Sequence, residues 1–183
     1  MEQKTLCHHG VKGMKWGVRR ARKAQAKDGY KALKRQAKLE FDNAFQKHSG
    51  ELYKTKVAFD NGNVSKNKYA AKELDYSRNV DKARAKKSEA IAKAKRDYRI
   101  AKGMNAEKAN RKYNKKVNTI RQSLKDADYR RTVELVKSDP SVARALRDAG
   151  KIKQKDLNNA SFDAIHDRMD EYIRSAEKKR RRG

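Results

Sequence analysis

Three groups of side chains in this sequence are of types that do chemistry. The first is Cys7-His8-His9, one soft and two borderline metal ligands side by side. A closed zinc site needs four ligands spaced so that the chain can fold round the ion. The other two histidines, His48 and His166, fall in helical patterns with no cysteine near them. Neighbouring residues also seldom reach the geometry by which a histidine activates a cysteine. The second group is His166 and Asp170, four apart on one helix face, with Asp167 and Glu171 close by. Ordinary surface pairing among Asp167, Arg168, Glu171 and Arg174 accounts for that spacing. The sequence holds no phosphate-cradling glycine loop, no paired-histidine zinc helix and no nucleophile elbow. The expectation is a protein that is not an enzyme, with no catalytic residue, no metal and no cofactor.

The third group is the cations, and they dominate. Fifty Lys and Arg face 23 Asp and Glu, a net charge of +27. The excess is uneven: residues 1–38 hold 12 basic and 2 acidic groups, whereas residues 139–177 hold 7 and 8. Such asymmetry predicts polyanion or acidic-protein partners and says little about fold. Lys82, Arg84, Lys86 and Lys87, then Lys93, Lys95, Arg96 and Arg99, recur along one helical stretch. Lys178, Lys179, Arg180, Arg181 and Arg182 form a tail with nothing local to balance it. Neutralising several phosphates with these groups would release counterions and give salt-sensitive binding of DNA or RNA, without sequence preference. A solvated basic face on long helices is the competing reading. The interleaved Tyr and Phe fall at helical spacing, which suits a helix seam better than base stacking.

The elements that must carry these residues are helices. The chain is 36% hydrophobic and 40% charged, too little apolar matter for a thick globular core. One Pro and nine Gly are too few for a sandwich or barrel built on tight turns. From about Asp28, Tyr30, Leu33, Ala37, Phe41 and Phe45 step by three or four. Ser49-Gly50 is a candidate bend, and Asn61-Gly62-Asn63 is the clearest turn signal. Ser65 is placed to cap a second helix running to about Lys102, and Gly103 to end it. Asn105 caps a third, whose stripe includes Ala109, Tyr113, Val117, Ile120, Val133 and Val136. Asp139-Pro140 opens a short helix that stops at Gly150. Ser161 is read as the cap of a last one, with Phe162, Ile165, Met169, Tyr172 and Ile173 on one face. These two short helices form a compact appendage or pack onto the rods.

The fold class that follows is all-α: a long antiparallel helical hairpin, three-helix bundle or coiled coil, with a small C-terminal helical appendage and a flexible N-terminal peptide. Residues 1–27 read as a largely non-helical basic docking peptide, 28–137 as the long-helix body, 138–177 as the appendage and 178–183 as a basic tail. An alanine-rich seam this thin would gain from homo-oligomerisation. The lone Cys7 excludes an internal disulfide, which suits a reducing compartment. No apolar run reaches the ~18 residues of a membrane span, and the first twenty residues lack a signal peptide's apolar stretch.

The most specific string is His8-His9-Gly10-Val11-Lys12-Gly13-Met14-Lys15-Trp16-Gly17-Val18-Arg19-Arg20. Gly10, Gly13 and Gly17 oppose helix, and from Met14 the side chains alternate as in a strand. Trp16 between Lys15 and Gly17 offers a large anchor with open backbone, suited to adding onto a sheet edge. Folding back of Trp16 onto the first rod is the other reading. The string resembles a short N-terminal motif of uncharacterised proteins of phages and prophages of Gram-positive bacteria, often placed among virion or head-morphogenesis proteins. The resemblance covers thirteen of 183 residues and brings no activity with it. It implies an accessory or structural protein of a phage particle or its assembly, found in the virion or the bacterial host cytoplasm. Its docking peptide would bind capsid, portal or a similar protein, and its basic faces would bind packaged DNA. The alternative is an intracellular nucleic-acid-binding protein with no structural role.

Overall fold

A computed structural model describes the backbone of residues 6–180 and the side chains of residues 17–18, 20–175 and 178. It is all-α, with no strand among the described residues: α1 (Leu6–Asp60), α2 (Lys66–Ala101), α3 (Ala106–Ser138), α4 (Pro140–Asp148) and α5 (Gln154–Arg180). Local signals explain the breaks. At the end of α1 the Asn63 N–H bonds back to the Ala58 carbonyl, and at the end of α2 the Met104 N–H bonds to that of Arg99. Both bonds close a Schellman turn, which requires a left-handed residue that Gly62 (φ +77°) and Gly103 (φ +99°) supply. Asn105 then caps α3 by accepting from the Lys108 N–H, 3.2 Å away. Asp139 caps α4 by accepting from the Val142 N–H at 3.1 Å, with Pro140 in the first turn.

Four expectations need correction. Residues 6–27, expected to be largely non-helical and strand-like from Met14, belong to α1. Three glycines there cost roughly 1 kcal/mol each, but an isolated strand has no ladder partner, whereas a helix satisfies its own backbone. Ser49-Gly50 does not interrupt α1; Gly50 meets open space, and it is simply a weak helix former held by its neighbours. Ser65 does stand at the cap position, just before α2 starts at Lys66, but the bond it accepts from the Tyr69 N–H goes to its carbonyl and not to its hydroxyl. Ser161 is no cap at all: α5 begins at Gln154, and the Ser161 hydroxyl donates to the Leu157 carbonyl at 2.8 Å.

The chain divides into two compact units, and α1, α2 and α3 each contribute a segment to both. Unit 1 comprises Met1–Ala44 and Ala83–Arg121. Within it Tyr30 stacks on Tyr98 (centroids 5.7 Å apart) while Phe41 lies under the Lys87 ammonium at 3.8 Å. An advance along α1 is thus a retreat along α2, so the two segments are antiparallel. Arg96 over Tyr113 and Arg121 near Glu89 relate α2 to α3 in the same sense. Among the described residues of this unit the buried side chains are Ala37, Ala94, Ala109 and Val117, a thin seam of small residues.

Unit 2 comprises Phe45–Lys82 and Gln122–Gly183. Phe59 stacks on Tyr69 at 4.9 Å, and Ser49 meets Tyr76 at 3.3 Å, again antiparallel for α1 and α2. Its core joins Leu74 of α2, Val133 and Val136 of α3, Val142, Ala143 and Leu146 of α4, and Leu157, Ala160 and Ala164 of α5. The C-terminal helices therefore pack onto the rods, and supply most of this core. The apolar face that the spacing gathers on α5 is largely exposed: Phe162 is 63% exposed and Tyr172 76%. Small residues win the contact because Ala160 and Ala164 let helix backbones approach closely.

Candidate polyanion-binding surface

Charge is divided far less evenly than mass. Unit 1 carries 26 Lys and Arg against 7 Asp and Glu, a net +19, whereas unit 2 carries 24 against 16, a net +8. In unit 1 the ring stack of Tyr30 on Tyr98 and the burial of Ala37 fix the rotation of α1 about its axis. That rotation leaves Lys23, Lys27, Lys31, Lys34 and Lys38 all exposed, with Arg20 exposed one turn before them. Their steps of four, four, three and four keep the five lysines within an arc of about 80°.

The α2 cations singled out in the sequence do not act as one block. Lys86, Lys93, Arg84 and Lys95 are exposed, and Arg99 is half-buried. Lys82 is exposed too, but falls in unit 2. Lys87 and Arg96 are turned to internal work: Lys87 sits over Phe41, and Arg96 covers Tyr113 while pairing with Asp97 at 2.6 Å. Such cation–π contacts supply unit 1 with cohesion that its alanines cannot. On α3 Lys108, Arg111, Lys112 and Lys115 are exposed at i, i+3, i+4 and i+7, roughly opposite the Ala109–Tyr113–Val117 stripe. Arg111 pairs with Glu107 at 2.9 Å, both largely solvated.

The faces on α1 and α3 were not among the residues that sequence analysis singled out. Runs of neighbouring cations attract the eye, but on a helix it is spacing by three and four that gathers charge. Of the terminal cations, Lys178 is exposed on α5. The side chains of Lys179 and Arg180, and all of Arg181 and Arg182, lie outside the described residues. So do the side chains of His8, His9, Val11, Met14, Lys15, Trp16 and Arg19 from the proposed docking peptide, and the surroundings of Gly10 and Gly13. Gly17, Val18 and Arg20 of that peptide are exposed.

Unit 2 spends its acids on its own fold. Arg78 grips both carboxylate oxygens of Asp128 (2.6 and 3.1 Å) and donates from Nη1 to the Lys151 carbonyl at 2.6 Å. Lys151 reaches Asp75 at 2.7 Å, Arg131 bonds to Asp81, and Lys137 pairs with Asp167 at 2.7 Å. The bond to Asp167 raises the Lys137 pKa. Lys66 donates to Asp139, whose carboxylate also accepts from Ser141 and Val142. These bonds, Lys66 first, hold Asp139 well below the usual carboxylate range. Tyr129 donates its hydroxyl to Asp163, which pushes its pKa up to about 12.

The other chemistry-bearing residues are not brought together. The His166 ring packs against Phe162, with centroids 4.4 Å apart, and His48 lies 3.5 Å from Glu51. Asp167 turns to Lys137, and Arg168 donates to the Lys137 carbonyl at 2.8 Å, in place of the pairing along α5 that the spacing suggested. Among the described residues no three His, Cys, Asp or Glu side chains are grouped to hold a metal. Unit 1 has a groove of about 420 Å³ whose polar walls include Glu40, Lys93 and Asp97. Glu40 accepts from Gln36 and Asp97 from Arg96, so both carboxylates there have partners. Among the described residues no helix is long and apolar enough to cross a membrane.

Residues 3–23 match the model of a family of unknown function (DUF7211). The matched stretch contains the whole His8–Arg20 string and ends at Lys23, the first residue of the lysine face of α1. No curated protein and no solved structure matches the chain.

Proposed function

We propose that this chain is a non-enzymatic, basic helical accessory protein of a phage particle or its assembly. It holds DNA, without sequence preference, on the cationic faces of unit 1. The peptide around Trp16 docks it to a virion partner such as capsid or portal. One observation carries the polyanion part: unit 1 carries a net +19 and exposes the lysines of α1 and the cations of α3, while 16 of the 23 acids fall in unit 2, where several are bonded to its own cations. A surface whose charges were only solubilising would have no reason to segregate them. The phage setting draws its support from the resemblance of residues 8–20 alone.

Two measurements test this reading. Full-length protein titrated with duplex DNA at rising salt is expected to lose affinity steeply and equally for unrelated sequences. Binding that survives 200 mM salt with one strongly favoured sequence would replace it with specific recognition. Deleting residues 8–20 should abolish co-purification with particles while DNA binding and the helicity of the remaining chain persist. If particles incorporate the deleted form normally, or the intact protein never enters them, the intracellular nucleic-acid-binding alternative takes over.

A further inference from the structure

We infer that the Lys23–Lys38 face of α1 is a binding site for the phosphate backbone of double-stranded DNA, and that it discriminates against single strands. The inference rests on the polyanion reading above and says where, and for which form of nucleic acid, that binding occurs.

Geometry comes first. Lys23, Lys27, Lys31, Lys34 and Lys38 are exposed, and none of them forms an ion pair among the described residues. Fifteen residues of helix separate the first from the last, roughly 22 Å of rise. Over that length a B-form duplex carries about thirteen phosphates on its two strands, one per ~1.7 Å of axis, and those on one side face a straight rod. Five cations on flexible four-carbon stems can spread to reach phosphates of both strands on that side. Asp28, the one acid between Lys23 and Lys38, falls about 100° from the midline of the stripe.

The chemistry of the face then selects the form of the polymer. Binding of single strands relies on aromatic side chains that stack on bases. Tyr30, the one aromatic residue between Lys23 and Lys38, is half-buried against Tyr98. Base edges are read by Arg, Asn and Gln forks, whereas all five cations here are lysines, point charges without a planar fork. A rigid straight row of charge also loses least on meeting a stiff partner, and a duplex is stiff over ~150 base pairs. A flexible strand would have to be straightened first.

The test uses the full-length protein with Lys23, Lys27, Lys31, Lys34 and Lys38 all replaced by Gln, a comparable helix former. A charge-matched control replaces five exposed lysines of unit 2, Lys47, Lys54, Lys56, Lys68 and Lys72, by Gln. A third protein carries Arg at the five α1 positions. Circular dichroism checks that all remain helical. Affinity for two unrelated duplexes, and for one of their single strands, is measured from 50 to 200 mM salt. Loss of five phosphate contacts should lower the slope of log affinity on log salt by about 4.5, or two to three orders of magnitude over that range. The control should keep most of the native slope, the Arg form nearly all of it, and single strands should bind wild type more weakly than duplex. A native slope in the α1 variant, or an equal loss in the control, overturns the site while leaving the polyanion reading intact. Single strands bound as tightly as duplex overturn the discrimination. Wild-type protein that binds no DNA at all removes both this site and the proposed function.

Discussion

The two units are built from consecutive segments of the same three long helices, yet they are held together by opposite means. Unit 2 has branched aliphatic side chains in its core, Leu146 at 1% exposure among them, and a set of ion pairs between helices. Unit 1 buries three alanines and a valine among its described residues, and keeps its helices together with ring stacking and cations over rings. Its +19 opposes compaction by self-repulsion. The comparison teaches that the same three helices reach a compact state by two routes, one through aliphatic burial and ion pairing, the other through small side chains and rings under an excess of positive charge. A polyanion that binds folded unit 1 would both relieve the repulsion and stabilise that unit by mass action.

The largest effect should come from the core of unit 2. Leu146→Ala removes a side chain packed among α2, α3, α4 and α5 residues and should cost about 2–5 kcal/mol. Among the described residues of unit 1 no large aliphatic side chain is buried as Leu146 is, so the sensitive change runs the other way. Ala109→Leu, at a site with no exposed surface, should cost about 1–3 kcal/mol by overpacking. Urea unfolding of both variants checks the contrast. If Ala109→Leu is neutral or stabilising, the seam of unit 1 is loose rather than close-packed, and the distinction between the units must be redrawn.

A smaller effect, of known sign, tests the ion pairs. Bonds from Lys66, Ser141 and the Val142 N–H hold the Asp139 pKa below its ordinary 3.8. A carboxylate depressed in the folded state adds stability that is complete above the unfolded value and is lost as pH falls through the folded one. The Lys66 side chain is 69% exposed, so water screens its share. Wild-type protein should therefore melt above Asp139→Ala at neutral pH, and the gap should narrow once pH drops below about 3.8. Thermal melts followed by circular dichroism between pH 7 and pH 2 measure it. A gap that stays constant to pH 2, or is missing at pH 7, would show that the Asp139 bonds do not hold α4 in place.

The sequence made the helix boundaries legible where the signal was local. Asn61-Gly62-Asn63, Gly103, Asn105 and Asp139-Pro140 act on backbone groups within a few residues, and each does so in the structure. The apolar stripe of α3 was legible too, since Ala109, Val117, Val133 and Val136 are all buried. What depends on competition between distant partners was not. Whether residues 6–27 coil or continue α1 turns on the absence of a strand partner. The choice between Ser161 and Gln154 as the start of α5 turns on Leu157 and Ala160, which precede Ser161 and are buried against residues of α2, α3 and α4. The lysine face of α1 was present in the sequence as spacing, but only the rotation imposed by Tyr30 and Ala37 decides that it meets solvent.

The same competition governs the smallest predicted effect, on α5. Two apolar sets compete for the interior there: Leu157, Ala160 and Ala164 are buried, while Phe162, Ile165, Met169, Tyr172 and Ile173 are each more than half exposed. Size alone favours the second set, since burying a Phe or Ile side chain is worth ~1.5–3 kcal/mol. The first set wins because Ala160 and Ala164 admit close approach, and because Tyr129, Lys137 and Asp163 bond across that side of the helix. Phe162→Ser and Ile165→Ser should then change stability by no more than about 0.5 kcal/mol, as surface substitutions do. Leu157→Ala, five residues from Phe162 and 6% exposed, should cost several times more. Urea midpoints taken at two protein concentrations decide the matter. A Phe162→Ser loss as large as that of Leu157→Ala would mean the face is covered in solution. If the wild-type midpoint also rose with concentration, the cover would be a second copy of the chain, and unit 2 would owe part of its strength to association.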